Sequence, residues 1–135
     1  MPEEALKFSN RIAIMHEGQI KQIGDKWQVF YRPKNLRLAG LLGEYNIIKA
    51  EDFHAKSEFK THKNLLCRPN NFVHVEKSGK YDLEVQIVSC VFNGKCFEVL
   101  AETNSGHHLV IFDSSAKIMF SKIYYRIILS DEGKT

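Results

Sequence analysis

The side chains able to do chemistry are few in this chain, and most stand at the wrong spacing. The tail Gly133-Lys134-Thr135 has the form of the end of a phosphate-binding loop, G-x-x-x-x-G-K-[ST], yet Ile128 occupies the place of its first glycine. Such a loop cradles phosphate with successive backbone amides that feed a helix N-terminus, and no helix follows here. Leu109-Val110-Ile111-Phe112-Asp113 has the shape of the apolar strand whose last aspartate holds magnesium in phosphate-loop ATPases. With no such loop ahead of it, the segment reads as a strand ending in a turn.

His107 and His108 adjoin Gly106 in a turn. Neighbours on a strand point to opposite faces, so they make a poor pair of metal ligands, and His54, His62 and His74 share no ligand spacing with them. No metal site is expected. Cys67, Cys90 and Cys96 cannot all pair with one another and form no C-x-x-C, so reduced thiols are expected. No serine lies in a nucleophile elbow and no cysteine has an evident base in the sequence. No catalytic residue is therefore assigned.

Two binding chemistries remain. Arg68, Lys95 and His107, with Asn70 and Asn71 beside the arginine, are candidate ligands to a small oxyanion such as molybdate, sulfate or phosphate. The plainer reading of Arg68, which precedes a proline at a strand end, is a turn anchor held through backbone carbonyls. Phe72, Phe92, Tyr124 and Tyr125 offer faces for bases, and Lys95, Lys117, Lys122 and Arg126 offer charges for phosphates, as in an OB-type module for single-stranded nucleic acid. Against this, the net charge is only +3, and 19 Lys and Arg are scattered among 16 Asp and Glu. Core aromatics with solvated lysines outside is the preferred reading, and nucleic acid is not an expected partner.

The elements that must position these residues follow from pattern. A chain of 135 residues with 44% apolar and 26% charged residues is an ordinary globular protein of one domain, with room for an appendage. No run approaches the ~20 apolar residues that cross a bilayer, and Met1 to Leu6 is not a signal peptide, so a cytoplasmic address is expected. Glu3 to about Ser9 reads as a short helix with acids at its front. Arg11 to Met15 and Ile20 to Ile23 form a hairpin around His16-Glu17-Gly18-Gln19. Asp25 stands three residues before Gln28, the spacing of a capping box, and opens a helix carrying Trp27, Phe30 and Tyr31 that Arg32-Pro33 ends. Another short helix, Leu36 to Leu42, closes at Gly43.

From Tyr45 onward the chain is rich in β-branched and aromatic residues. Strands are predicted at Tyr45 to Lys49, Asn64 to Arg68, Phe72 to Val75, Leu83 to Phe92, Lys95 to Thr103, His108 to Phe112 and Tyr124 to Leu129. Asn93-Gly94 fits a two-residue type I′ turn, which would set Cys90 opposite Phe97 and Cys96 opposite Val91, with the two thiols on opposite faces. The predicted fold class is mainly β, a small OB-like barrel or sandwich preceded by a short helix, a hairpin and further helix.

Read as one phrase, Glu3-Glu4-Ala5-Leu6, Arg11-Ile12-Ala13-Ile14-Met15, Gly18-Gln19-Ile20, Gln22-Ile23-Gly24 and Tyr31-Arg32-Pro33 resembles the end of the nucleotide-binding domain in ATPase subunits of ABC importers. There the wording is close to EEAL, a helix, DRIAVM, a turn with Gly, I-x-Q-x-G, a capped helix and Y-x-x-P. Leu41-Leu42-Gly43 stands where one branch of that family leaves its last ATPase helix for a β-rich domain called TOBE, for transport-associated OB. Leu66-Cys67-Arg68-Pro69 resembles a later strand signature that usually ends R-P-E. Asn70 replaces that acid here, so no role of the carboxylate carries over.

The resemblance implies residues 1–43 as a remnant of the nucleotide-binding domain and 44–135 as a TOBE regulatory domain. It implies a carboxyl-terminal fragment of a subunit that imports iron, polyamines, sugars or oxyanions, with the phosphate loop, signature loop, magnesium strand and switch histidine all ahead of Met1. No ATP or magnesium is then expected in this fragment, although the parent would use both. A second copy of the chain is an expected partner, with a small-molecule or protein regulator as another. The parent would bind membrane subunits at the inner face of the cell membrane. In the parent, residues missing here would cover the hairpin. Ile12, Ile14, Ile20, Ile23, Trp27 and Phe30 are therefore expected to pack on the β domain, on each other or on a second copy.

Overall fold

The computed structural model describes residues 2–115 and 122–129. The tail Gly133 to Thr135, Lys117 and the side chain of Lys122 lie outside them. Two units separate, Met1–Tyr45 and Asn46–Thr135.

In the first unit, α1 (Pro2–Phe8) carries Glu3 and Glu4 in its first turn and Lys7 in its last, each sign matching the helix dipole. Strands β1 (Arg11–His16) and β2 (Gln19–Asp25) pair antiparallel. Glu17 and Gly18 both take positive φ, 53° and 76°, the backbone of a tight hairpin turn. Asp25 then accepts from the N–H of Trp27 and caps α2 (Lys26–Tyr31), and Asn35 caps α3 (Leu36–Leu42) by accepting from Leu38. Ile12, Ile14, Val29 and Leu38 form the core, with Ala5, Leu6 and Leu42 packed around it. The buried Gln22 ties the chain after α2 to the hairpin: its Oε1 accepts from the Lys34 N–H at 3.0 Å and its Nε2 donates to the Arg32 carbonyl at 3.3 Å.

One extra residue decides the faces of this hairpin. Ile14 pairs with Gln22 but Met15 pairs with Ile20, so Lys21 is bulged out of register. Strict alternation would put Ile20 and Ile23 on opposite faces. The bulge brings both to the outer face with Ala13 and Met15, while Ile12 and Ile14 turn inward.

The second unit is mainly β, as predicted. Its strands are β3 (Asn46–Ile48), β4 (Leu65–Cys67), β5 (Phe72–Val75), β6 (Leu83–Phe92), β7 (Phe97–Glu102), β8 (His108–Asp113) and β9 (Lys122–Ile127). The last five form one antiparallel sheet in the order β5-β9-β6-β7-β8. The sheet curls until its edge strands β5 and β8 approach each other, a half-barrel consistent with an OB-like fold. Leu83, Val85, Val99, Ile111, Ile123 and Tyr125 fill its interior. A bulge at Val88 sets Ile87 opposite Ala101 and Ser89 opposite Leu100, so that Ile87 and Cys90, three residues apart, both face inward. β3 and β4 form a separate ribbon, joined to the edge strand β8 by the side chain of Asn46.

The β6–β7 turn differs from the sequence prediction. Phe92 pairs with Phe97 and Cys90 with Val99, so the turn centres on Gly94 and Lys95. The reason is local: Asn93 Oδ1 accepts from the N–H groups of both Lys95 and Cys96 at 2.9 Å, and Gly94 takes φ 93°. The thiols of Cys90 and Cys96 still fall on opposite faces, and all three cysteines are free.

Candidate functional site

The structure does not gather the predicted oxyanion ligands. Lys95 lies in the turn before β7 and His107 in the turn after it. A six-residue strand separates them by ~20 Å, so they cannot share a small anion. Arg68 is fully buried at the end of β4. Its N–H donates to Asn71 Oδ1, and its carbonyl accepts from the Asn71 N–H, which closes the 3-10 turn Pro69–Asn71. Asn71 is buried too, and its Nδ2 donates to the Ile128 carbonyl at 2.7 Å. Asn70 beside it is exposed. Arg68 and Asn71 thus join β4, the turn and the end of β9.

The proposed base-stacking set fares similarly. Phe72 and Tyr125 are core residues, and Phe92 lies against Phe97 at the hairpin tip, 5.0 Å between centroids. The Tyr125 hydroxyl donates to Asp113 Oδ2 at 2.7 Å, and Asp113 Oδ1 accepts from the Ser115 N–H. Burial first, and then Asp113, pushes the Tyr125 phenol upward, so it stays protonated. Asp113 thus ends its strand in a hydrogen-bonded turn, as its sequence setting predicted. Burial raises the Cys67 thiol, and slight burial with the Asp113 charge raises Cys90. Raised thiols are poor nucleophiles and poor metal ligands.

One polar network had no sequence signal. Asp52, buried in the turn Ala50–Asp52, accepts from the Ser105 N–H at 3.0 Å and from Ser105 Oγ at 2.7 Å, and Ser105 Oγ lies 2.7 Å from His107 Nδ1. A carboxylate only accepts, so the serine donates to Asp52 and the histidine Nδ1 must donate to the serine. This order, with serine in the middle, is the reverse of a nucleophile activated by histidine. It ties the β7–β8 turn to the turn after β3.

A further recess lies elsewhere in the second unit. A cleft of about 730 Å³ opens between His54–Glu58, the connection Lys77–Asp82 and Arg126 on β9. Asp82 holds its walls together. Its Oδ1 accepts from Ser57 Oγ at 2.7 Å and its Oδ2 from the Ile127 N–H at 2.8 Å, while its carbonyl accepts from the His54 N–H at 2.8 Å. Tyr81 lies against His54, 4.4 Å between ring centroids, and against Tyr124 at 4.7 Å. Of these lining residues, sequence reasoning singled out only Arg126.

The apolar residues proposed as an association surface divide between two environments. Ile12 and Ile14 are buried, whereas Ile20 and Ile23 are each 59% exposed and Met15 beside them is 63% exposed. Trp27 is exposed and stacks parallel to Tyr31, while Phe30 meets Tyr31 edge-on.

Comparison with known proteins gives no matching family model. Among curated relatives, a spermidine/putrescine import ATP-binding protein of Mesoplasma florum is 32% identical over 75% of this chain and 33% of its own length. A Fe(3+) ions import ATP-binding protein of Fusobacterium nucleatum is 30% identical over 84% of this chain and 35% of its own. A spermidine/putrescine import ATP-binding protein of Shigella boydii is 39% identical over 51% of this chain and 18% of its own. The chain spans about a third or less of the length of these relatives.

Proposed function

We propose, from the premise that the homologues of this chain are ATP-binding subunits of ABC importers, that it is the non-catalytic regulatory and dimerisation part of such a subunit. The observation that carries this reading is the two-sided hairpin. Its inner face is closed by its own helices, but its outer face presents Ala13, Met15, Ile20 and Ile23 to solvent. A two-stranded ribbon with an apolar outer face suits a sheet that continues into a larger body. The second unit, by contrast, closes its own core. In this reading residues 1–43 finish the ATPase domain and 44–135 form the TOBE domain.

The parent subunit would bind ATP and magnesium in its missing part, engage membrane subunits, and serve polyamine or ferric iron import as its relatives' names state. No helix among the described residues is long and apolar enough to cross a membrane. Two regulatory domains in lasting contact would keep two ATPase halves at high effective concentration while their nucleotide sites open and close. The test is a magnesium-dependent ATPase assay on this chain. Phosphate release at the level of buffer is expected, and saturable turnover would overturn the reading.

A further inference from the structure

We propose that the cleft between His54–Glu58, Lys77–Asp82 and Arg126 binds a small phosphorylated organic anion of the sugar-phosphate kind. The proposal goes beyond the transporter reading and does not depend on it, because it rests on the cleft alone.

Size comes first. A volume of about 730 Å³ falls within the ~300–1,000 Å³ typical of small-molecule sites. It is far larger than a single oxyanion needs, so the fitting ligand has a body as well as a charge.

Charge decides the class. Lys56, Lys77, Lys80 and Arg126 line the cleft, and the carboxylates facing them are Glu58 and Asp82. Asp82 is already engaged, with both oxygens accepting from Ser57 and Ile127. Among the described residues no ion pair joins Lys56, Lys77, Lys80 or Arg126 to a carboxylate. Four cations against two carboxylates give the cleft a net positive lining, which favours a ligand with more than one negative group. Arg126 supplies a planar fork suited to phosphate oxygens, and the lysines supply point charges.

Walls and orientation follow. Asp82 stitches three segments into one rim, so the recess is held by hydrogen bonds rather than assembled by the ligand. His54 Nδ1 accepts from the Lys56 N–H at 3.2 Å, which places the neutral imidazole proton on Nε2 and leaves that atom as a donor. The Tyr81 ring adds a flat surface against which the C–H face of a sugar ring can lie.

The same chemistry, phosphate esters on a polyol, occurs in soluble sugar phosphates and in lipid headgroups. A membrane source would require the cleft to face a bilayer, and its lining residues include Glu58 and no aliphatic side chain; the soluble source is the proposal.

The test is isothermal titration calorimetry of the full chain with fructose 1,6-bisphosphate and with inorganic pyrophosphate. Parallel arms use phosphatidylglycerol vesicles by cosedimentation and a single-stranded oligonucleotide by fluorescence anisotropy. Saturable one-to-one binding of the bisphosphate is expected, weakening with added salt. Lys80→Gln and Arg126→Gln should each weaken it about tenfold, and Lys63→Gln, outside the cleft, should leave it unchanged. Flat traces with both soluble probes would overturn the proposal. So would tighter binding to vesicles or oligonucleotide than to the bisphosphate, or equal loss in the Lys63→Gln chain.

Discussion

The carboxamide of Asn46 holds both backbone groups of Val110: its Oδ1 accepts from the Val110 N–H and its Nδ2 donates to the Val110 carbonyl, each at 2.8 Å. One side chain thus does for the outer edge of β8 what a further strand would do, and it is itself buried. Asn46→Ala leaves two backbone groups unpaired beside the core, and a loss of about 2–4 kcal/mol is expected in urea unfolding. Asn46→Asp keeps the acceptor but loses the donor, so it should also destabilise. An unchanged urea midpoint in both variants would mean that the edge is satisfied by other groups.

The hairpin faces should respond in opposite ways to substitution. Ile14→Ala removes buried volume from the first unit and should cost about 2–5 kcal/mol. Ile23→Lys places a charge on the outer face and should change stability by less than about 0.5 kcal/mol, while reducing any self-association seen by light scattering. Equal destabilisation by the two variants would show that the outer face is covered within the chain.

Stability should fall in alkali through groups that the fold keeps neutral. Cys67 is raised above an ordinary value of 9.0 and Tyr125 above 10.0, so in each case the unfolded chain ionises first and then binds fewer protons than the folded one. Their contribution is complete below those ordinary values and is lost as pH rises, at up to about 1.4 kcal/mol per pH unit for each group. Unfolding free energies of the Cys67→Val chain, measured beside the unaltered one, should show a shallower decline above pH ~9. Parallel curves would contradict the assignment.

Ser105→Ala withdraws the hydroxyl donor from the buried Asp52 and is expected to destabilise by about 1–3 kcal/mol. Because Ser105 and His107 stand apart from the cleft lined by Lys80 and Arg126, bisphosphate binding should be retained in the folded variant. Loss of binding at full stability would connect the two regions.

The strands and helices were legible because their signals are local. Asp25 caps from within a few residues, and the inward alternation of Leu83, Val85 and Ile87 is written in the strand itself. What escaped the sequence was set by single insertions or by distant partners. Neither the bulge at Lys21 nor that at Val88 disturbs composition, yet each reverses the faces of the residues beyond it. Asn93-Gly94 favoured one turn, and the Asn93 side chain selected another by capping two amides. The anion candidates Arg68, Lys95 and His107 were chosen by residue type, but β7 keeps the last two apart and the core takes the first. The cleft could not be assembled from spacing, because its cations come from three segments joined through Asp82, whose partners lie 25 and 45 residues away.

Sedimentation equilibrium of the chain carrying Ile20→Glu and Ile23→Glu is the most direct test of the proposed role as a dimerising, non-catalytic part of an importer ATPase subunit. The double substitution removes association through the outer face of the hairpin and leaves the second unit untouched. A dimer mass in that variant is the result the account requires. A monomer mass at every concentration, with the variant folded as shown by circular dichroism, would contradict it.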